Sequence, residues 1–198
     1  MNLPALIAKI TSLEADEFVQ EFIMNGPCLH VDQKAIDHIR VSLSEAVGIP
    51  IEPGEIVIVG SAKIGYGLFD KKRKDLEPLP RFRAFGPASD IDVAICSTRL
   101  FDLVWKELCD YALAKPWLPH IMRNTGNYLV YGWLRPDQVP YEARLRTLDC
   151  FQDRMRRLSN SSVLGRRKIS GAIYKDTSFL SKYQTRGIAQ CRQELIDQ

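Results

Sequence analysis

The chain has 198 residues with a formal net charge of +3, and its 45% hydrophobic and 26% charged content is that of a folded globular protein rather than a disordered or collagenous chain. No apolar run is long enough to cross a bilayer, and no basic segment near Met1 leads into an unbroken apolar stretch, so a cytoplasmic protein without a membrane partner is expected. Five scattered cysteines (Cys28, Cys96, Cys109, Cys150 and Cys191) with no Cys-x-x-Cys argue against a disulfide framework and against structural zinc.

In chain order, apolar positions from Leu3 to Ile23 have imperfect helical spacing, and Asn25-Gly26-Pro27 stops the run. A helix over 32–47 is predicted, with Asp32 as its N-cap, Ile36, Ile39, Leu43 and Val47 inward, and Gly48 and Pro50 at its end. The β-branched run Ile56–Val59 marks a strand over 55–59, and Ser61 to about Phe69 reads as a helix or helical turn. Pro78, Pro80, Gly86 and Pro87 mark a loop before a second strand at 90–96. A helix follows from Ser97 or Thr98, its core stripe formed by Leu100, Phe101, Val104, Trp105, Leu108 and Ala112. Pro116 to Pro119 is a connector, Tyr128 to Leu134 is apolar without a clear period, and Arg135-Pro136-Asp137 is a turn. A basic helix over 141–158, a strand over 168–174 and a closing helix from Thr177 to about Leu195 complete the chain. The expected architecture is α/β (α+β): a single domain over 1–198 in which a small mixed sheet is flanked by helices. Its helical N-terminal segment spans 1–50, its core 51–115 and its basic helical C-terminal segment 116–198.

The charge is uneven: residues 140–198 hold 12 Lys/Arg against 6 Asp/Glu, and residues 1–139 hold 15 against 18. Arg144, Arg146, Arg154, Arg156, Arg157, Arg166, Arg167 and Lys168 form the basic cluster, and the arginine fork suits phosphate. This points to a polyanionic partner such as RNA, with Arg154, Arg156, Arg157, Arg166 and Arg167 as candidate contacts.

The most informative pattern pairs two segments. Ile56-Val57-Ile58-Val59 ends at Gly60-Ser61, and Asp90-Ile91-Asp92 opens the apolar run Val93-Ala94-Ile95. Alternate side chains of a strand share a face, so Asp90 and Asp92 point the same way and favour a cation between them. Hard carboxylate oxygens suit Mg2+ or Mn2+, most of all when a triphosphate completes the coordination. A Gly-Ser turn offers backbone N–H groups and a hydroxyl to phosphate oxygens.

Gly60-Ser61 followed by Asp90-x-Asp92 resembles the signature of the polymerase β-type nucleotidyltransferase superfamily over roughly residues 50–115. Within it, the chain is most similar to small bacterial nucleotidyltransferase-domain proteins, many of them linked to toxin or phage-defence systems. The resemblance implies that Asp90 and Asp92 hold the metal and that Gly60 and Ser61 hold the triphosphate of an NTP such as ATP, with Lys63 a nearby charge. It also implies transfer of NMP to a hydroxyl acceptor, either an RNA end such as tRNA or a protein side chain, and a cognate partner protein. Two departures stand out. The connection from Ser61 to Asp90 is long and carries Lys71-Lys72-Arg73-Lys74, Arg81 and Arg83, a candidate basic flap. The superfamily's third carboxylate has no clear counterpart: Ser170-Gly171 occupy the middle of the strand expected to carry it, Asp176 lies past its end, and Asp149 and Asp153 fall in a helix. The alternative reading is therefore a catalytically impaired nucleotide- or RNA-binding module that acts as a sensor or partner subunit.

Overall fold

A four-stranded mixed sheet organises the molecule, seen in a computed structural model that describes residues 1–73, 76–115, 119–139 and 145–197. Its strands are β1 (Ile56–Val59), β6 (Ile91–Cys96), β7 (Trp133–Leu134) and β8 (Ile169–Tyr174), in the spatial order β1-β6-β8-β7. β6 runs antiparallel to β1 and parallel to β8, and β7 lies antiparallel along the outer edge of β8. Between β1 and β6 the chain makes two small ribbons. One pairs β2 (Tyr66–Gly67) with β5 (Arg83–Ala84), and the other pairs β3 (Lys71–Arg73) with β4 (Leu76–Leu79).

The two faces of the sheet carry different residues. One presents Ile56, Ile58, Ile91, Val93, Ile95, Ile169 and Ile173, all buried. On it pack α3 (Gln33–Val47), α5 (Thr98–Ala114) and α7 (Arg146–Ser159), through buried residues such as Ile39, Leu43, Leu100, Val104, Phe151 and Met155. The opposite face presents Val57, Val59, Asp92, Ala94, Cys96, Ser170, Ala172 and Tyr174. Its apolar end is covered by α8 (Thr177–Ile196), and α8 in turn packs against α1 (Leu3–Ser12), α2 (Ala15–Phe18) and the π-helical turn Val19–Met24. Two further helices are α4 (Ser61–Ile64) and α6 (Pro119–Val130).

The mixed α/β class expected from the sequence is observed, and most elements fall within a few residues of expectation. α3 is capped by the Asp32 carboxylate, which accepts from Ala35 N–H at 2.8 Å, and it ends where Gly48 takes φ +69°. Three segments differ. The helix expected over Ser61–Phe69 stops at Ile64, because Gly65 adopts φ +92° and the chain turns into the β2–β5 ribbon. The loop expected before Asp90 holds the two ribbons instead. The first helical run divides at Leu13: the carboxylates of Glu14 and Glu17 cap the start of a second helix, which continues into the π turn. The segment 128–134 resolves into the end of α6, a left-handed Gly132 and β7. The connector at 116–118 and the start of the helix expected from 141, Arg144 included, lie outside the described residues. The third and fourth strands of the sheet come from beyond residue 115, so the sheet is not confined to 51–115. Among the described residues, no helix is long and apolar enough to cross a membrane.

Candidate functional site

The site is built where β1 ends and β6 begins. Pairing of Val59 with Asp92 sets the last residue of β1 beside the second carboxylate. Gly60 then takes φ +65° and ψ −151°, a conformation open essentially to glycine alone. A methyl group at Gly60 would stand 3.0 Å from Asp92 Oδ2, so the missing side chain is also what lets the carboxylate close on the turn. Ser61 opens α4, whose Lys63, Ile64 and Gly65 N–H groups are satisfied by the Gly60 and Ser61 carbonyls. The Ser61 hydroxyl makes no hydrogen bond to any described residue.

Asp90 and Asp92 flank Ile91, which is 3% exposed, so pleating turns both carboxylates to the face opposite the α3/α5/α7 layer. Asp92 is exposed and the Asp90 side chain is 23% exposed. Neither carboxylate stands alone. Asp90 Oδ2 lies 3.0 Å from Lys71 Nζ and 3.9 Å from Lys168 Nζ, while Asp92 Oδ1 accepts a 2.5 Å hydrogen bond from Ser170 Oγ. Lys71 belongs to the basic connection, so that segment does reach the carboxylate pair.

The register identifies what stands beside the pair. β8 runs parallel to β6 with Ser170 opposite Asp92, and Ile91 N–H donates to the Lys168 carbonyl, so Lys168 and Ser170 continue the Asp90–Asp92 face onto the next strand. Sequence reasoning missed Lys168 as a site neighbour because only the register brings it there; its i, i+2 relation to Ser170 was the available signal. The position beside Asp92 is thus held by a hydroxyl.

The other acidic candidates lie elsewhere. Asp176 caps α8, its Oδ1 accepting from the N–H groups of Ser178 and Phe179 and from the Ser178 hydroxyl, bonds that hold its carboxyl below the usual range. It follows Tyr174, which is four residues and about 13 Å of strand from Ser170. Asp149 and Asp153 belong to α7 on the far side of the sheet, where Asp153 pairs with Arg156 and Arg157.

Lys63 is 6% exposed and donates from Nζ to the Gly26 carbonyl at 2.5 Å, and burial pushes its ammonium pKa down. With Leu29 N–H to the Lys63 carbonyl and His30 N–H to the Ala62 carbonyl, it fastens α4 to the 26–30 segment. That contact engages the ammonium expected beside the triphosphate.

The basic cluster does not form one patch at the carboxylates. Arg154 pairs with Glu45 of α3 at 3.6 Å, and Arg156 and Arg157 share Asp153, all three on α7 behind the other sheet face. Arg166 is exposed in a left-handed turn. Arg167 donates to the Gly86 carbonyl and lies 4.8 Å from the Phe85 ring centroid, and Phe85 stacks on His30 at 4.5 Å. Of these arginines, Arg167 alone contacts the 85–90 turn that leads into Asp90.

The carboxylates can accept a hard cation: both lie on one open face, and amino-acid ammonium groups already converge on Asp90. Among the described residues no group of three His, Cys, Asp or Glu side chains could hold a metal alone, so further ligands would have to come from a substrate or water. Comparison with protein-family models, with curated proteins and with solved structures gave no match.

Proposed function

We propose that the chain is a polymerase β-type nucleotidyltransferase: a hydroxyl on RNA or protein attacks the α-phosphorus of an NTP such as ATP, the new P–O bond forms as the bond to the β-phosphate breaks, and pyrophosphate leaves. One observation carries this reading: the Gly60-Ser61 turn lies directly against the Asp92 carboxylate, with Asp90 on the same strand face. A Gly-Ser turn and a strand-borne Asp-x-Asp are separated by a long connection in sequence, and a chance pair of motifs has no reason to meet in space. The succession of β1, the Gly60-Ser61 turn, α4, β6, α5 and β8, with the two ribbons inserted before β6 and α6, β7 and α7 before β8, also supports a core of this superfamily.

In this reading Asp90 and Asp92 are the residues that would hold Mg2+ or Mn2+ together with the substrate. The metal supplies charge neutralisation on the phosphates and polarisation of the attacked phosphorus. The chain's own residues do the rest. Gly60 keeps the turn close to Asp92, and Ser61 offers the triphosphate a hydroxyl that no described residue engages. Lys71 and Lys168, which already lie at Asp90, exchange the carboxylate for phosphate oxygens when substrate arrives. As the sequence resemblance implies, the biological setting suggested is a toxin or phage-defence system with a cognate partner protein.

Ser170 favours a second reading, a module that binds nucleotide and metal without efficient transfer. A serine next to Asp92 cannot serve as a carboxylate base or ligand, and the hydroxyl already donates to Asp92. Incubation with each α-labelled NTP, Mg2+ and total cellular RNA or protein separates the two. Label on an acceptor, lost in Asp92→Ala, supports transfer. Metal-dependent NTP binding without label supports the second reading, and absence of metal-dependent binding of any NTP overturns both.

A further inference from the structure

On α8, Phe179, Lys182, Tyr183 and Arg186 recur at the i, i+3, i+4, i+7 spacing that puts side chains on one helix face. Lys182, Tyr183 and Arg186 are exposed, with Tyr183 at 45%. Beside this face runs the short edge strand β7, preceded by Tyr131, which is 59% exposed. The rings are held from the core outward. Tyr174, 3% exposed, meets Trp133 at 6.1 Å and Tyr183 at 5.9 Å between centroids, and Trp133 meets Tyr183 at 5.0 Å. The cations sit over rings: Lys182 Nζ is 5.3 Å from the Phe179 centroid and Arg186 is 6.0 Å from that of Tyr131. Among the described residues neither cation has a carboxylate within ion-pair distance, in contrast to Arg154, Arg156 and Arg157, although the Lys182 charge helps to lower the pKa of Asp176 at the start of the same helix.

From this we infer that the α8–β7 face binds single-stranded nucleic acid, with Tyr131, Trp133 and Tyr183 as stacking surfaces and Lys182 and Arg186 as phosphate contacts. Rings interleaved with cations that no carboxylate holds in an ion pair match the chemistry of a strand of stacked bases and phosphates. A folded protein partner would need a continuous apolar centre, whereas here each exposed ring has a cation over it or next to it in the helix. Ordering costs little, because Tyr183 and Trp133 are already fixed by their ring contacts. The position adds direction. Tyr174, Ala172 and Ser170 lie on the same face of β8, so the surface adjoins the end of a strand face that leads, over about 13 Å, to Asp92. That this strand is the acceptor for transfer rests on the proposed function; the binding surface itself does not.

Fluorescence anisotropy with a fluorescein-labelled 12-nucleotide oligouridylate, a matched oligodeoxythymidylate and a self-complementary duplex tests the inference on the full chain. Both single strands should bind more tightly than the duplex and quench Trp133, with affinity falling as salt rises. Tyr183→Ala should weaken single-strand binding about tenfold. Tyr183→Phe keeps the ring and should bind as the wild type does, which separates stacking from loss of fold. Lys182→Gln with Arg186→Gln should flatten the salt dependence, and Arg156→Gln with Arg157→Gln should change nothing. Absence of single-strand binding at low salt, preference for the duplex, or equal affinity of Tyr183→Ala and wild type overturns the inference. Asp92→Ala should bind the oligonucleotides normally, so failure of the nucleotide site and failure of this surface give different results.

Discussion

The two faces of the central sheet obey different rules although they share the same strands. Toward α3, α5 and α7 every residue of β1, β6 and β8 but one is a β-branched apolar side chain, and the exception, Gly171, makes room for Phe151 and Met155. Toward α8 the character changes along the strands, from Asp92 and Ser170 at one end to Cys96 and Tyr174 at the other. The Cys96 thiol, 4% exposed there, has its pKa pushed up to about 12 by burial, so it acts as a small apolar residue and not a nucleophile. A face packed along its whole length fixes the register and holds β6 and β8 rigid. A face left open at one end can then present polar groups at defined separations without having to stabilise the fold.

The sharpest way to break this division is to fill the one gap in the packed face. A side chain at Gly171 would start 2.8 Å from the Met155 methyl and 2.9 Å from the tip of Phe151. Gly171→Val should therefore cost about 3 kcal/mol in urea unfolding. Ser170→Thr, one residue away on the open face, should stay within about 0.5 kcal/mol. Similar losses for both would show that the two faces are packed alike.

Ser170→Asp probes the open face. A third carboxylate beside Asp92 should destabilise the metal-free protein by about 1 kcal/mol through like-charge repulsion, and Mg2+ should more than restore the melting temperature. Gain of NMP transfer in this variant would identify Ser170 as the residue that limits turnover. An unchanged melt with and without Mg2+ would mean that the open face does not gather a cation.

What the sequence revealed and what it hid follow the same division. The strand 56–59, the Asp-bearing strand and α3 with its Asp32 and Gly48 caps were readable, since their signals are local: β-branched runs, helical period, capping residues. The sharing of a face by Asp90 and Asp92 was readable from the pleat. That strand 168–174 would stand opposite the Asp pair, with Ser170 and Gly171 at its middle, came from the resemblance alone; its exact register was not readable, because register is a non-local choice, and with it went the placement of Lys168. Gly65 was hidden for another reason. Its positive φ ends α4 after one turn, yet a glycine within a helical pattern gives no local sign of which conformation it takes. The ionic partners of Arg154, Arg156 and Arg157 were likewise invisible in a count of charges: Asp153 was in view, but that it and Glu45 would neutralise this patch was not.

A smaller effect tests whether the basic connection and the metal compete for the open face. Lys71 and Asp90 form a partly exposed pair, worth under about 1 kcal/mol. Lys71→Ala should tighten Mn2+ binding by the nucleotide-free protein about threefold, read by calorimetry, and weaken NTP binding if the lysine transfers to phosphate. Tighter metal with unchanged NTP affinity would leave Lys71 a mere occupant of the carboxylate.

The smallest effect concerns the support beneath the turn. Lys63 is buried against the Gly26 carbonyl, and desolvation lowers its pKa in the folded protein while the unfolded chain keeps the ordinary 10.5. Between the folded value and 10.5 the unfolded state binds more protons, so stability must rise with pH across that alkaline window and level off above it. Below the folded value the full cost of the charged form is present. Lys63→Met removes the titrating group along with its hydrogen bond, two changes of opposite sign, so stability near pH 7 should move by only about a few tenths of a kcal/mol. The alkaline rise should disappear in the variant, and NTP affinity should hold, because the ammonium is committed to Gly26. If NTP affinity instead falls tenfold while the pH slope survives, Lys63 leaves Gly26 when nucleotide binds, and the support beneath Gly60-Ser61 is itself part of the site.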